Sequence, residues 1–202
     1  MLKDITGIIL TGGKSSRMQT NKALLKLGDK TVIEIIASKL KIIFNDILIS
    51  VSDYKEYDFL NLPQVKDVFN GKGPLAGIHS ALKYSSTEKN FIISCDMPLI
   101  SAELITYLIN INSDKSILLP KANGKIQQLC GIYSKSVIDE IENIFKLSEK
   151  DKNIKGSVYE LLERATNEII AVDDLNFYSK NIFLNMNSPE DYELIKDIYE
   201  KQ

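Results

Sequence analysis

Apolar residues along the chain fall into two alternating rhythms. Short apolar runs rich in β-branched residues occupy positions 5–10, 47–51, 91–94, 116–119 and 168–172, and several of them are apolar on both faces. That is the pattern of central strands in a parallel sheet. Between the runs the spacing changes to that of helices. Residues 31–44 place Val32, Ile35, Ile36, Leu40 and Ile43 on one helical face, and Thr31 with Glu34 has the spacing of a capping box. Further helices are predicted at about 75–86, 101–111, 135–147, 157–165 and 189–200. Ser157 with Glu160, and the run Ser188-Pro189-Glu190-Asp191, mark two of their N-termini. Strand and helix in alternation predict an α/β fold, an open, mostly parallel twisted sheet with helices on both faces. Ligands of such sheets sit outside the carboxyl ends of the strands. Three polar turns fall there: the loop after Leu10, the turn Cys95-Asp96-Met97-Pro98, and Asp67 near the end of a short run at 65–68.

Composition narrows the picture. A chain of 202 residues with 44% apolar content can build one substantial core, so a single domain over 1–202 is expected. The net charge of −2 argues against a general nucleic-acid or membrane-surface binder. Within residues 14–30, however, Lys14, Arg17, Lys22, Lys26 and Lys30 face a single acid, Asp29. No apolar run approaches the roughly 18 residues of a membrane span, and the first residues are too few for a signal-peptide core, so a cytoplasmic protein is expected. Cys95 and Cys130 are far apart and form no Cys-x-x-Cys pair. His79 is the one histidine and lacks a Gly-x-Ser-x-Gly elbow, so it reads as a packed or surface helix residue. The polar stretch 148–155 reads as a surface loop.

The chemistry concentrates in residues 8–22, IILTGGKSSRMQTNK. Gly12 and Gly13 let the backbone approach a ligand and turn N–H groups toward an anion, and Lys14, Arg17 and Lys22 add positive charge. A polyphosphate is the natural guest. A P-loop fails on register, because Gly13-Lys14-Ser15 as its end would need a glycine at position 8, where Ile8 stands. Asp96 ends the apolar run FIISC and is followed by Met97-Pro98, which projects its carboxylate at the sheet edge. A carboxylate facing a basic phosphate loop suits an intervening cation, and Mg²⁺ favours one or two carboxylates with phosphate oxygens and water. The same aspartate could instead cap the next turn or pair with Lys22.

The segment LTGGKSSRMQTNK resembles the signature L-x-G-G-x-S-x-R-M-G-x-D-K of the nucleotidyltransferase family that contains molybdenum cofactor guanylyltransferase. Gly73-Pro74-Leu75-Ala76-Gly77, Asp96-Met97-Pro98 and Asn185-Met186-Asn187-Ser188-Pro189-Glu190-Asp191 resemble three later segments of that family, in order and across nearly the whole chain. The resemblance implies a Rossmann-like nucleotidyltransferase that transfers GMP from GTP to molybdenum-bound molybdopterin and releases pyrophosphate. It also implies roles by position. Leu10, Thr11 and Gly12 would contact guanine through the backbone, with Gly13 completing the turn. Lys22 would hold the phosphates, Asp67 the nucleoside, Asp96 the Mg²⁺, and Arg17 the leaving pyrophosphate. Molybdoenzyme apoproteins or their chaperones would take the product. The chain departs from the pattern at Gln19 and Asn21, where the family usually has Gly and Asp, and at Ser50, where some members have asparagine. It departs again at Gln127-Gln128-Leu129, where a Pro-Leu or Pro-Thr pair is common. Asn185 and Asn187 are amides where related sugar-nucleotide enzymes use an acid. A CTP-dependent or sugar-phosphate nucleotidyltransferase, and a non-catalytic nucleotide-binding chaperone, are the competing readings. Thr11-Gly12-Gly13 in place of Ala-Ala-Gly argues against the first, and Arg17, Lys22 and Asp96 together argue against the second.

Overall fold

The computed structural model of the chain describes residues 4–11, 21–52, 56–69 and 71–201. Its centre is β1 (Ile5–Leu10), whose buried residues alternate between two cores: Ile8 and Leu10 pack on one side, Ile9 on the other. Parallel neighbours flank it, β4 (Ile47–Val51) on one side and β6 (Lys89–Ser94) on the other. Beyond β4 lies β5 (Gln64–Lys66), also parallel. β1, β4 and β6 are strands that the apolar runs predict, and β5 overlaps the short run at 65–68.

The far half of the sheet contains a reversal that the apolar pattern does not announce. β7 (Ile117–Ala122) turns through Asn123-Gly124 into β8 (Lys125–Ile126), and β9 (Cys130–Ser134) then runs antiparallel between β6 and β7. Asn123 and Gly124 both have positive φ, 49° and 74°, as a two-residue hairpin turn demands. Edge strand β10 (Asn167–Ala171) pairs parallel to β7. The order is therefore β10-β7-β9-β6-β1-β4-β5, with β8 attached to β7, and a separate hairpin is formed by β2 (Lys26–Leu27) and β3 (Lys30–Thr31).

Helices cover both faces, as expected. α1 (Val32–Ile43), α3 (Ala102–Ile109) and α6 (Pro189–Tyr199) bury Ile33, Ile36, Leu40, Leu104, Leu108 and Ile195 against one face. α2 (Pro74–Tyr84), α4 (Ile138–Lys150) and α5 (Val158–Arg164) bury Leu75, Ile78, Ile141, Phe145 and Leu161 against the other. The capping boxes at Thr31/Glu34, Ser157/Glu160 and Ser188/Asp191 all form, each satisfying N–H groups that a helix start leaves free. Two expectations need correction. The helix predicted from 135 begins as a 3₁₀ turn, Lys135–Val137, capped by Ser134. The loop expected at 148–155 begins later, because α4 continues to Lys150 and keeps its apolar face on the core. No helix among the described residues is long and apolar enough to cross a membrane.

Candidate active site

The carboxyl edge of β6, β1, β4 and β5 gathers the described site residues in one row. At the end of β1, Thr11 N–H donates to the Ser50 carbonyl at 3.1 Å, and the Thr11 hydroxyl donates to the same oxygen at 2.7 Å. The Ser50 hydroxyl in turn donates to Asp67 Oδ1 at 3.1 Å. Partial burial pushes the Asp67 carboxyl above its usual pKa, and the Ser50 hydrogen bond opposes that rise. Ser50, at the position of the expected departure from an asparagine in some family members, is thus the link between the β1 turn and Asp67. Helix α2 presses on Ser50, Asp67 and Leu10 through Gly77. A Cβ there would lie 2.8 Å from Ser50 Oγ, 3.4 Å from Leu10 Cδ2 and 3.5 Å from Asp67 Oδ1, so the Gly-Pro-Leu-Ala-Gly segment is a matter of close approach.

On the other side of β1, Cys95 N–H donates to the Leu10 carbonyl at 2.9 Å and brings the Asp96 turn beside Thr11. The turn is held from two directions. Met186 N–H donates to the Asp96 carbonyl at 2.9 Å, and the Lys39 ammonium on α1 donates to the carbonyls of Pro98 and Ile100 at 2.9 and 2.8 Å. Desolvation depresses the Lys39 pKa, and Glu103 nearby partly restores it. Asp96 Oδ1 is buried with no hydrogen-bond partner. Burial raises the Asp96 pKa, against the influence of Ser94 and Lys22. Lys22 reaches the same place from the 3₁₀ turn Lys22–Leu24, and its ammonium donates to Asn187 Oδ1 at 3.1 Å. The Asn185–Asp191 segment therefore has three uses. Met186 is buried and docks on the Asp96 turn, Asn187 receives Lys22, and Ser188 with Asp191 starts α6.

Of the sequence-predicted residues, Leu10, Thr11, Lys22, Asp67 and Asp96 share this edge, whereas Gly12, Gly13 and Arg17 lie outside the described residues. Asp96 and Asp67 are three strand steps apart, about 14 Å at ~4.8 Å per step, so the row can span a ligand with two chemically different ends. His79 belongs elsewhere. It is fully buried among Phe69 and Phe145, and its Nε2 pairs with Glu142 at 3.0 Å. Cys95 and Cys130 are buried free thiols whose pKa values are pushed up to about 12 by desolvation. Neither is a nucleophile at neutral pH.

A mostly parallel sheet with helices on both faces and a polar row at its carboxyl edge defines an α/β protein of the kind that takes its ligand at that edge. The chain belongs to the MobA-like NTP transferase domain family, whose model matches residues 7–167, from β1 to the start of β10. A probable molybdenum cofactor guanylyltransferase of Carboxydothermus hydrogenoformans is 38% identical over 200 residues, covering 98% of each chain. One of Clostridium perfringens SM101 is 37% identical over 186 residues, covering 92% of each. Among solved structures, the molybdopterin-guanine dinucleotide biosynthesis protein A of Archaeoglobus fulgidus superposes with a TM-score of 0.81. It is 24% identical and covers 98% of this chain and 100% of that one. The relatives extend past residue 167, so the Asn185–Asp191 segment lies within the region of likeness.

Proposed function

We propose that the chain transfers GMP from GTP to molybdenum-bound molybdopterin in the cytoplasm, giving the guanine dinucleotide cofactor for molybdoenzymes or their chaperones. The observation that carries this reading is the row of Asp67, Thr11 and Asp96 with Lys22 close to Asp96, in a chain whose relatives bear the name molybdenum cofactor guanylyltransferase. A phosphate oxygen of the pterin attacks the α-phosphorus of GTP, the new P–O bond forms, and the bond to the β-phosphate breaks to release pyrophosphate. The nucleophile is already anionic, so the protein's task is alignment and charge compensation. Leu10, Thr11 and Gly12 would present backbone groups to guanine, with Gly13 in the same turn, and Asp67, held by Ser50, would accept from the nucleoside. Lys22 would balance the phosphates and Arg17 the departing pyrophosphate.

The orphaned Asp96 Oδ1 fits a cation-binding role, because a buried carboxylate oxygen without a donor is costly unless a positive partner completes it. Among the described residues no cluster of three or more His, Cys, Asp or Glu could hold a metal by itself. That suits Mg²⁺, which takes one protein carboxylate together with phosphate oxygens and water. When bound there, Mg²⁺ would neutralise charge on the β- and γ-phosphates.

The test is transfer to molybdenum-loaded pterin with GTP, CTP and ATP in parallel. Selectivity for GTP is expected, since a base edge read by fixed backbone donors and acceptors leaves polar groups unpaired when the base is wrong. Preference for CTP would remove the guanylyl assignment and leave the nucleotidyltransferase class. Nucleotide binding without transfer would favour the chaperone reading.

A further inference from the structure

Asp67 stands where the sheet gives out. It follows β5, a three-residue strand that ends the sheet and has a neighbour on one side only. Pairing is already weak there, because Asp67 N–H lies 3.4 Å from the Val51 carbonyl, the long limit of a hydrogen bond. A carboxylate on a fraying strand end would have to be ordered by its ligand, at a cost in affinity. Three elements counter this at three successive residues. Ser50 on β4 donates to the Asp67 carboxylate, Val68 N–H donates to Ser80 Oγ on α2 at 2.9 Å, and the Phe69 ring packs on His79 and Phe145 with centroids 5.0 and 4.7 Å away.

Ser80 is the unexpected member of this set. It is 2% exposed and lies in the stretch 75–82 of α2, every residue of which is buried. Alanine would suit such a position better, having the higher helix propensity and no polar group to bury. A buried hydroxyl is tolerated where it is hydrogen-bonded, and here its oxygen accepts from Val68 N–H. The Val68 side chain is 64% exposed, so the amide and not side-chain packing fixes this residue. Ser80 also shares a helix face with Gly77, three residues earlier. The missing Cβ of Gly77 lets that face close on Ser50 and Asp67, and Ser80 then takes the next amide of the same turn.

We infer that Ser80 is a positioning residue for nucleotide binding, whose hydroxyl oxygen fixes the backbone just after Asp67 and so aims the carboxylate that Ser50 holds from the other side. The inference rests on the proposed role of Asp67 toward the nucleoside. It concerns that end of the row alone, since the Asp96 turn is three strand steps away.

The experiment measures GTP affinity by calorimetry without the pterin, KM and kcat for transfer, and melting temperature. The proteins are the wild type, Ser80→Ala, Ser80→Cys, Asp67→Ala, and Ser80→Ala combined with Asp67→Ala. Ser80→Ala should raise Kd and KM for GTP about fivefold, the worth of one ordinary hydrogen bond, with kcat within about twofold. Its melting temperature should move little, because the better helix propensity of alanine offsets the lost bond. Ser80→Cys keeps the volume but offers only a weak acceptor, so its affinity should fall with that of Ser80→Ala. In the Asp67→Ala background, Ser80→Ala should add nothing to the loss of affinity, because both act through one carboxylate. A Ser80→Ala protein that melts lower but binds GTP as tightly as the wild type overturns the inference in favour of a purely structural role. So does a fall in kcat at unchanged KM, a loss additive with that of Asp67→Ala, or wild-type affinity in Ser80→Cys or in Asp67→Ala. If the wild type prefers CTP, the same comparison is read with CTP and only the base assignment falls. If it binds no nucleoside triphosphate, the proposed function falls along with the inference.

Discussion

Asp96 carries the sharpest conflict between stability and use. Its buried Oδ1 lacks a donor and desolvation raises its pKa, so the metal-free protein holds a carboxylate that Ser94 and Lys22 compensate only in part. Asp96→Asn should therefore melt at or slightly above the wild-type temperature while transfer falls by about 10² to 10³, the loss of one preorganised electrostatic partner. A transfer rate within a few-fold of wild type at low Mg²⁺ would make Asp96 a turn residue instead. Gly77→Ala tests the opposite end of the row. The added methyl would sit 2.8 Å from Ser50 Oγ, and the cheapest relief is to swing that hydroxyl off Asp67. Overpacking costs about 1–3 kcal/mol, so a modest drop in melting temperature with a larger loss of nucleotide affinity is expected, and unchanged affinity would separate Asp67 from the nucleoside. Glu142 supplies the pH dependence. Hydrogen bonds from His79 and Lys83 hold its carboxyl down to about 2 from an ordinary 4.5. A carboxylate with a depressed folded-state pKa stabilises fully above its unfolded pKa, and that contribution is lost as pH falls through the folded value. The wild type should thus be more stable than Glu142→Gln near pH 6, and the gap should close between about pH 4.5 and 2. A gap independent of pH in acid melts would assign the effect to packing around His79.

At the level of elements, β9 sets the tightest constraint. It is wedged antiparallel between β6 and β7, and a Cβ on its Gly131 would collide with the Leu118 carbonyl oxygen and lie 2.6 Å from Leu119 Cδ2. Backbone cannot move aside as a side chain can. Gly131→Ala should therefore cost about 3 kcal/mol or more in urea unfolding, at the upper end of overpacking effects, and a loss below about 0.5 kcal/mol would show that β9 can shift in the sheet. This strand also marks what the sequence does and does not reveal. The central strands and three of the helices were legible because doubly apolar runs and capping boxes are local signals, and they place β1, β4, β6 and helices α1, α5 and α6. The reversal at β8 and β9 had a local signal too, the Asn123-Gly124 pair, but it sat among short runs with weak alternation. The site was legible at strand ends, where Thr11, Asp67 and Asp96 follow apolar runs. Ser50, Ser80 and Asn187 were not, since their contacts join separate elements and exist only once strand order is fixed.

Over the whole molecule, the two cores have no seam between them. β1 sends Ile8 and Leu10 into the core under α2, α4 and α5, and Ile9 into the core under α1, α3 and α6, so neither face can lose its packing while the central strand remains in place. The strands form one hydrogen-bonded sheet apart from the β2–β3 hairpin, and the site row runs from β6 across β1 and β4 to the edge strand β5. Both faces should therefore unfold together and feel the ligand equally. With no tryptophan in the chain, tyrosines are the natural reporters: Tyr57 lies in one core and Tyr133 in the other, each buried. Fluorotyrosine resonances of the two should disappear at one temperature. GTP at about 100 times its Kd should add about 2.7 kcal/mol, which for a chain of this length is a shift of roughly 5–10 °C, shared by both resonances. A Tyr133 transition that stays fixed while that of Tyr57 moves would mean that the sheet divides at β6 and β9, and that the nucleotide stabilises one half alone.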